Sequence, residues 1–176
     1  MLFTARSIWT MVHGMVLGGG ALLALAAVLY ALWLLRPSSE AEIPERYAGS
    51  VATLTVLIAA ALWITVLAGT YIVFPPYRAP PPEGLVDLAY YPRSLLLGNP
   101  ETAWLHAFAM ETKEHVPFIA AMLSTAAAFV SVRYRSGLLG HPQIRGAVMT
   151  LTAISFALVA YVAVLGVFVN KVAPLE

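Results

Sequence analysis

The chain contains no cysteine. Disulfides, thiolate zinc sites, covalently attached haem and cysteine-ligated iron–sulfur clusters are therefore excluded from its own side chains. Charge is also scarce: 11% of the residues are Asp, Glu, Lys or Arg, against about 25% in soluble domains. The net charge of +1 supplies no basic field for nucleic acid. The nucleophile elbow, the phosphate-binding loop and the dinucleotide fingerprint are all missing, so the common soluble-enzyme motifs give no reading. Gly18-Gly19-Gly20 lies inside an apolar run and cradles no phosphate.

What is present is apolar sequence in long blocks. Sixty per cent of the residues are hydrophobic and the mean hydropathy is +0.81. Four spans stand out, at about 8–35, 51–74, 113–132 and 146–170. A hydrocarbon core of about 30 Å needs roughly 20 helical residues. The first, second and fourth spans exceed that. The third, apolar only from Val116 to Val132, recruits residues from Lys113 to His115. Pro75-Pro76 is expected to stop the second span. The first span is too long for a signal-peptide core of roughly 7–15 residues, and Trp33-Leu34-Leu35-Arg36 offers no small-residue cleavage site. Trp9, Trp33, Tyr71 and Trp104 fall near span ends, as interfacial aromatics do; Trp63 is the exception, at mid-span. The fold class read from this pattern is all-α, an integral membrane four-helix bundle forming a single domain.

Orientation follows from Lys and Arg in short loops. Arg36, Arg46, Arg133, Arg135 and Arg145 lie on one side, and Arg6, Arg78, Arg93 and Lys171 on the other. The Arg133–Arg145 loop is placed in the cytoplasm and both termini are extracytoplasmic, in a cell (inner) membrane of bacterial type. The connection 75–100, rich in Pro and Tyr, is then extracytoplasmic. It favours extended backbone. It reads either as a docking segment for other subunits of a membrane complex or as a flap over the bundle.

One stretch gathers most of the chemistry: Glu111-Thr112-Lys113-Glu114-His115-Val116-Pro117. At ~1.5 Å per residue, about 27 Å of helix separates Arg133 from His115 and about 34 Å separates Arg36 from His13. Both histidines therefore fall near the outer membrane boundary, on different helices. Glu111, Glu114 and His115 share one helical face if the helix extends back that far. Pro117 removes a hydrogen bond and disfavours helix at Val116. Either one long helix kinks here, or residues 102–113 form a separate interfacial helix. The bland alternative is that the acids serve the helix dipole and Lys113 snorkels. Gly14 and Gly18 form a small-xxx-small pair, and Gly69 and Gly166 lie at the same outer level. Such residues allow close helix contact or leave room for a flat cofactor.

Two imidazoles from facing helices can hold b-type haem. His13 and His115 are the expected axial pair, beside Gly14 and Gly18. Lys113 and Glu114 are the expected contacts to propionates, to a quinone oxygen or to a released proton. In its four-span layout and paired histidines the chain resembles the small four-helix membrane anchors of bacterial respiratory complexes. That resemblance implies a membrane electron-transfer subunit, binding haem b and/or quinone within a larger complex rather than a stand-alone enzyme. Two other readings stay open. Glu111, Glu114, His115, His106 and His13 offer mixed oxygen and nitrogen ligands for a metal ion. The chain also fits a noncatalytic scaffold or assembly subunit.

Overall fold

The computed structural model describes residues 4–35 and 45–173. Arg36, one of the basic residues weighed for orientation, lies outside them. The described residues are helical, with no strand. Four helices are long and apolar enough to cross a membrane: α1 (Ala5–Leu34), α2 (Glu45–Arg78), α4 (Leu105–Arg133) and α6 (Pro142–Val172). Two short helices, α3 (Pro92–Leu97) and α5 (Gly137–Gly140), lie in the connections. The long helices run 29 to 34 residues, or roughly 45–50 Å, which exceeds the thickness of a hydrocarbon core. They alternate in direction, each packing against two neighbours around a ring.

The bundle carries much of its apolar surface outward. Large apolar groups such as Leu23, Met15, Phe129 and Val167 point outward at 68–76% exposure, a density of apolar surface that a soluble monomer rarely carries. Small residues fill much of the interior: Ala48, Ala52, Ala120, Ala121, Ala127, Ser131 and Ser155 are buried. Small side chains let helix backbones approach and strengthen dispersion contacts where lipid supplies no hydrophobic drive between helices. Several buried hydroxyls are satisfied by helix carbonyls, whereas Ser124 Oγ has no partner among the described residues. Ser131 Oγ donates to Ala127 O, and Ser155 Oγ lies 3.2 Å from the Ala120 carbonyl across α4 and α6. Trp63, unexplained by an interfacial rule, donates its indole N–H to Thr125 Oγ1 on α4 at 3.1 Å.

The two ends of the bundle differ. At one end, the link from α4 to α6 is short and Arg145, in the first turn of α6, is buried beside it. Its Nη1 lies 3.2, 3.1 and 3.5 Å from the carbonyl oxygens of Leu35, Leu138 and Leu139. Leu35 closes α1, so one guanidinium serves carbonyls that helix ends leave without partners. At the other end, the connection 79–104 folds over the bundle. Residues 79–91 are non-helical and turn at Gly84, whose φ of +77° is the left-handed conformation that favours glycine. Pro92 opens α3 in the position where its missing N–H is harmless. Leu96 of α3 is fully buried against Tyr77, Leu105, Ala109, Met110, Leu165 and Val169. This is the capped end.

The helices run further than the apolar blocks. Pro75-Pro76 does not stop α2. A π-helical segment, Gly69–Val73, ends the regular pattern just before it, and the prolines fall in the first turn of the α-helical stretch that resumes at Phe74. There a missing N–H costs nothing. Residues 102–113 do not form a separate helix. Leu105–Met110 is π-helical and continues into α-helix from Glu111, and Pro117 is accommodated inside it.

Candidate functional site

Three of the four long helices carry a π-helical segment, and all three lie toward the capped end: Val12–Gly19 in α1, Gly69–Val73 in α2 and Leu105–Met110 in α4. Such segments are rare and cluster at functional sites. In α1 a β-carbon on Gly18 would make only ordinary contact with the His13 carbonyl, at 3.4 Å, and one on Gly19 with the Gly14 carbonyl, at 3.9 Å. Gly14 faces open space, so neither Gly14 nor Gly18 is a close-contact point to another helix.

The wider winding presents His13 to α2. The imidazole sits in the notch of Gly69, where an added β-carbon would lie 2.8 Å from Cε1 and 3.2 Å from Nε2. His13 Nδ1 is buried and has no hydrogen-bond partner among the described residues. Across the bundle a second pair repeats the arrangement. Lys113 of α4 lies in the notch of Gly166 on α6, its Nζ 2.9 Å from where a β-carbon would stand. Lys113 makes no hydrogen bond or ion pair among the described residues. Two basic side chains from diagonally placed helices thus occupy glycine notches of the other two. Both retain unused donors.

His115 takes no part in this layer. It follows Lys113 by two positions, roughly 200° around the helix, and such residues do not face the same side. His115 is exposed, and its Nδ1 lies 2.7 Å from the Glu111 carbonyl of its own helix. A carbonyl only accepts, so Nδ1 carries the proton and Nε2 points away as a free acceptor. His115 is therefore turned away from the face of α4 that carries Lys113, and the two histidines do not form a facing pair within this chain.

Glu111 is exposed and Glu114 half-buried. Glu114 Oε2 stands 3.6 Å from Arg78 Nη2, while Oε1 is buried without a partner. Arg78 also lies 4.6 Å above the Phe74 ring. His106 is buried in a different network. Arg93 Nε–H donates to His106 Nε2 at 3.3 Å, and Tyr77 Oη lies 2.9 Å from Nδ1. Because arginine cannot accept, Nε2 is the unprotonated nitrogen and Nδ1–H donates to the tyrosine. Both nitrogens of His106 are engaged, and they fasten α3 to the ends of α2 and α4. Among the described residues, no three His, Asp or Glu side chains converge as a metal ion would require.

Gly69 and Gly166 were legible as outer-level glycines in transmembrane sequence. That each receives a basic side chain was not, because the pairing depends on helix rotation. Tyr77, Arg78 and Arg93 carried no sequence signal of their joint role. They converge only through the fold of 79–104.

No family model, no curated protein and no solved structure matches this chain.

Proposed function

We propose that this chain is a multi-pass subunit of a bacterial inner-membrane electron-transfer complex that holds the head of a quinone between His13 and Lys113. One observation carries the reading: His13 and Lys113, from diagonally placed helices, each occupy a glycine notch toward the capped end, and neither His13 Nδ1 nor Lys113 Nζ has a hydrogen-bond or ion-pair partner among the described residues. An unpartnered buried donor costs free energy, and an unpaired ionisable group within an apolar bundle is more costly still. A ligand that presents hydrogen-bond acceptors on an apolar, flat body relieves both costs. A quinone has that shape, with two carbonyl oxygens on a ring. When bound, it supplies two-electron chemistry coupled to protons.

In this reading Lys113 Nζ donates to one carbonyl oxygen and His13 to the other. Gly69 and Gly166 keep the two side chains in place while leaving the interior narrow. Glu114, next in sequence to Lys113 and half-exposed beside Arg78, is suited to pass a proton between the site and water. The capped end faces outward, the termini lie outside, and the Arg133–Arg145 loop faces the cytoplasm. The connection 79–104, with Val86 almost fully exposed, is the surface offered to another subunit.

The test is quinone content. Protein extracted in mild detergent should retain quinone in stoichiometric amount by mass spectrometry of the organic extract. His13→Phe and Lys113→Met should each lose it, and Glu101→Gln should keep it. A reduced-minus-oxidised spectrum and metal analysis on the same sample separate the alternatives. Sharp haem bands would replace the quinone by haem b, with exposed His115 as a ligand at a subunit boundary. Stoichiometric metal would move the site to Glu111, Glu114 and His115. No quinone, haem or metal would leave a scaffold subunit.

A further inference from the structure

A groove of about 190 Å³ opens between the start of α1 and the end of α2, at the capped end. It is lined chiefly by Arg6, Trp9, Thr10, Ile72, Val73 and Pro76. We propose that this groove binds a phospholipid of the adjoining leaflet, with Arg6 holding the phosphate. The inference rests on membrane insertion but not on a quinone at His13.

Arg6 carries the argument. Its Nη1 donates to the Tyr90 carbonyl at 3.0 Å and its Nη2 to the Pro76 carbonyl at 3.4 Å. A guanidinium has five N–H donors, so three remain. No carboxylate pairs with Arg6 among the described residues. The two carbonyls, one from α2 and one from the cap, fix the orientation of the guanidinium before any ligand arrives, which lowers the ordering cost of binding. A preoriented guanidinium with spare donors matches a phosphate.

The rest of the groove is apolar. Thr10 turns its hydroxyl to the Arg6 carbonyl of its own helix at 2.9 Å, leaving its methyl to the groove. Ile72, Val73 and Pro76 form the opposite wall. Trp9 is 46% exposed at the rim, where an indole suits the headgroup layer. A volume of 190 Å³ is below the ~300 Å³ at which pockets enclose a drug-sized molecule. The groove can therefore take only part of a ligand, the remainder lying in lipid. A free phosphate would leave the apolar floor uncovered, and a diacylglycerol would leave Arg6 without its counter-charge. An amphiphile with a phosphate satisfies both.

Native mass spectrometry of the full-length chain in detergent tests this with three probes: phosphatidylglycerol, diacylglycerol of the same chains, and glycerol 3-phosphate. Phosphatidylglycerol should be retained at least tenfold more strongly than either fragment. Arg6→Gln and Val73→Trp should each weaken that retention about tenfold. Arg6→Gln also breaks one contact to the cap and one to α2, whereas Val73→Trp fills the groove and leaves them intact, so the second variant decides if the first misfolds. Equal retention of diacylglycerol, or undiminished retention by Val73→Trp, would overturn the proposal.

Discussion

The imidazole of His13 on α1 occupies the notch that Gly69 leaves in α2, with no room for a β-carbon between them. The obstructing atoms belong to the end of a side chain, so a methyl group there displaces the ring rather than the backbone. Gly69→Ala should abolish ligand retention at His13 while leaving the midpoint of thermal unfolding in detergent little changed. Gly20→Ala, where nothing lies within 4 Å, is the control and should keep the ligand. It should be neutral or stabilising by up to about 1 kcal/mol. Intact binding by Gly69→Ala would detach His13 from the site.

Lys113 has no partner to lose. Lys113→Met keeps the length of the stem and removes the charge, so the bundle should unfold no more readily than the wild type. The gain should stay below the ~3 kcal/mol that a lysine costs at mid-bilayer, because the site lies toward one end. Loss of quinone without loss of stability assigns Lys113 to binding. A destabilised Lys113→Met bundle would show that the ammonium has a structural role.

Arg145 is the opposite case. Its guanidinium serves three carbonyls at the uncapped end, and hydrogen bonds to charged groups contribute roughly 1.5–3 kcal/mol. Arg145→Met should lower unfolding free energy by about 2–3 kcal/mol. Arg145→Lys should restore it only in part, since an ammonium is more strongly hydrated than a guanidinium and costs more to bury. Denaturation followed by helicity reads both.

The cap depends on His106. Tyr77→Phe removes one hydrogen bond, about 1 kcal/mol, while His106→Phe removes two. Limited proteolysis within residues 79–91 should be faster in both, and faster in His106→Phe. Identical cleavage in all three proteins would show that apolar burial of Leu96 alone holds the cap.

The absence of cysteine makes orientation directly measurable. Single substitutions Ser136→Cys and Glu83→Cys, probed in intact cells with a membrane-impermeant thiol reagent, should label only at position 83. Labelling at 136 alone would invert the topology.

Sequence alone determined the solvent and the count. Apolar blocks longer than a bilayer is thick, with few charges, leave four helices as the structure whose backbone satisfies itself in lipid. It also placed His13 and His115 near one level, with Gly69 and Gly166 in the same outer half, because rise per residue converts position into depth. It did not determine rotation. In apolar helices every face is apolar, so periodicity does not say which residue points inward. Lys113 rather than His115 sits in a glycine notch of a neighbouring helix because the packing of the bundle sets the azimuth of α4. Helix boundaries at Pro75-Pro76 and Pro117 likewise escaped a reading based on proline. A π-helical segment before Pro75 and the continuity of packing through Pro117 settle them, and both are properties of the folded bundle.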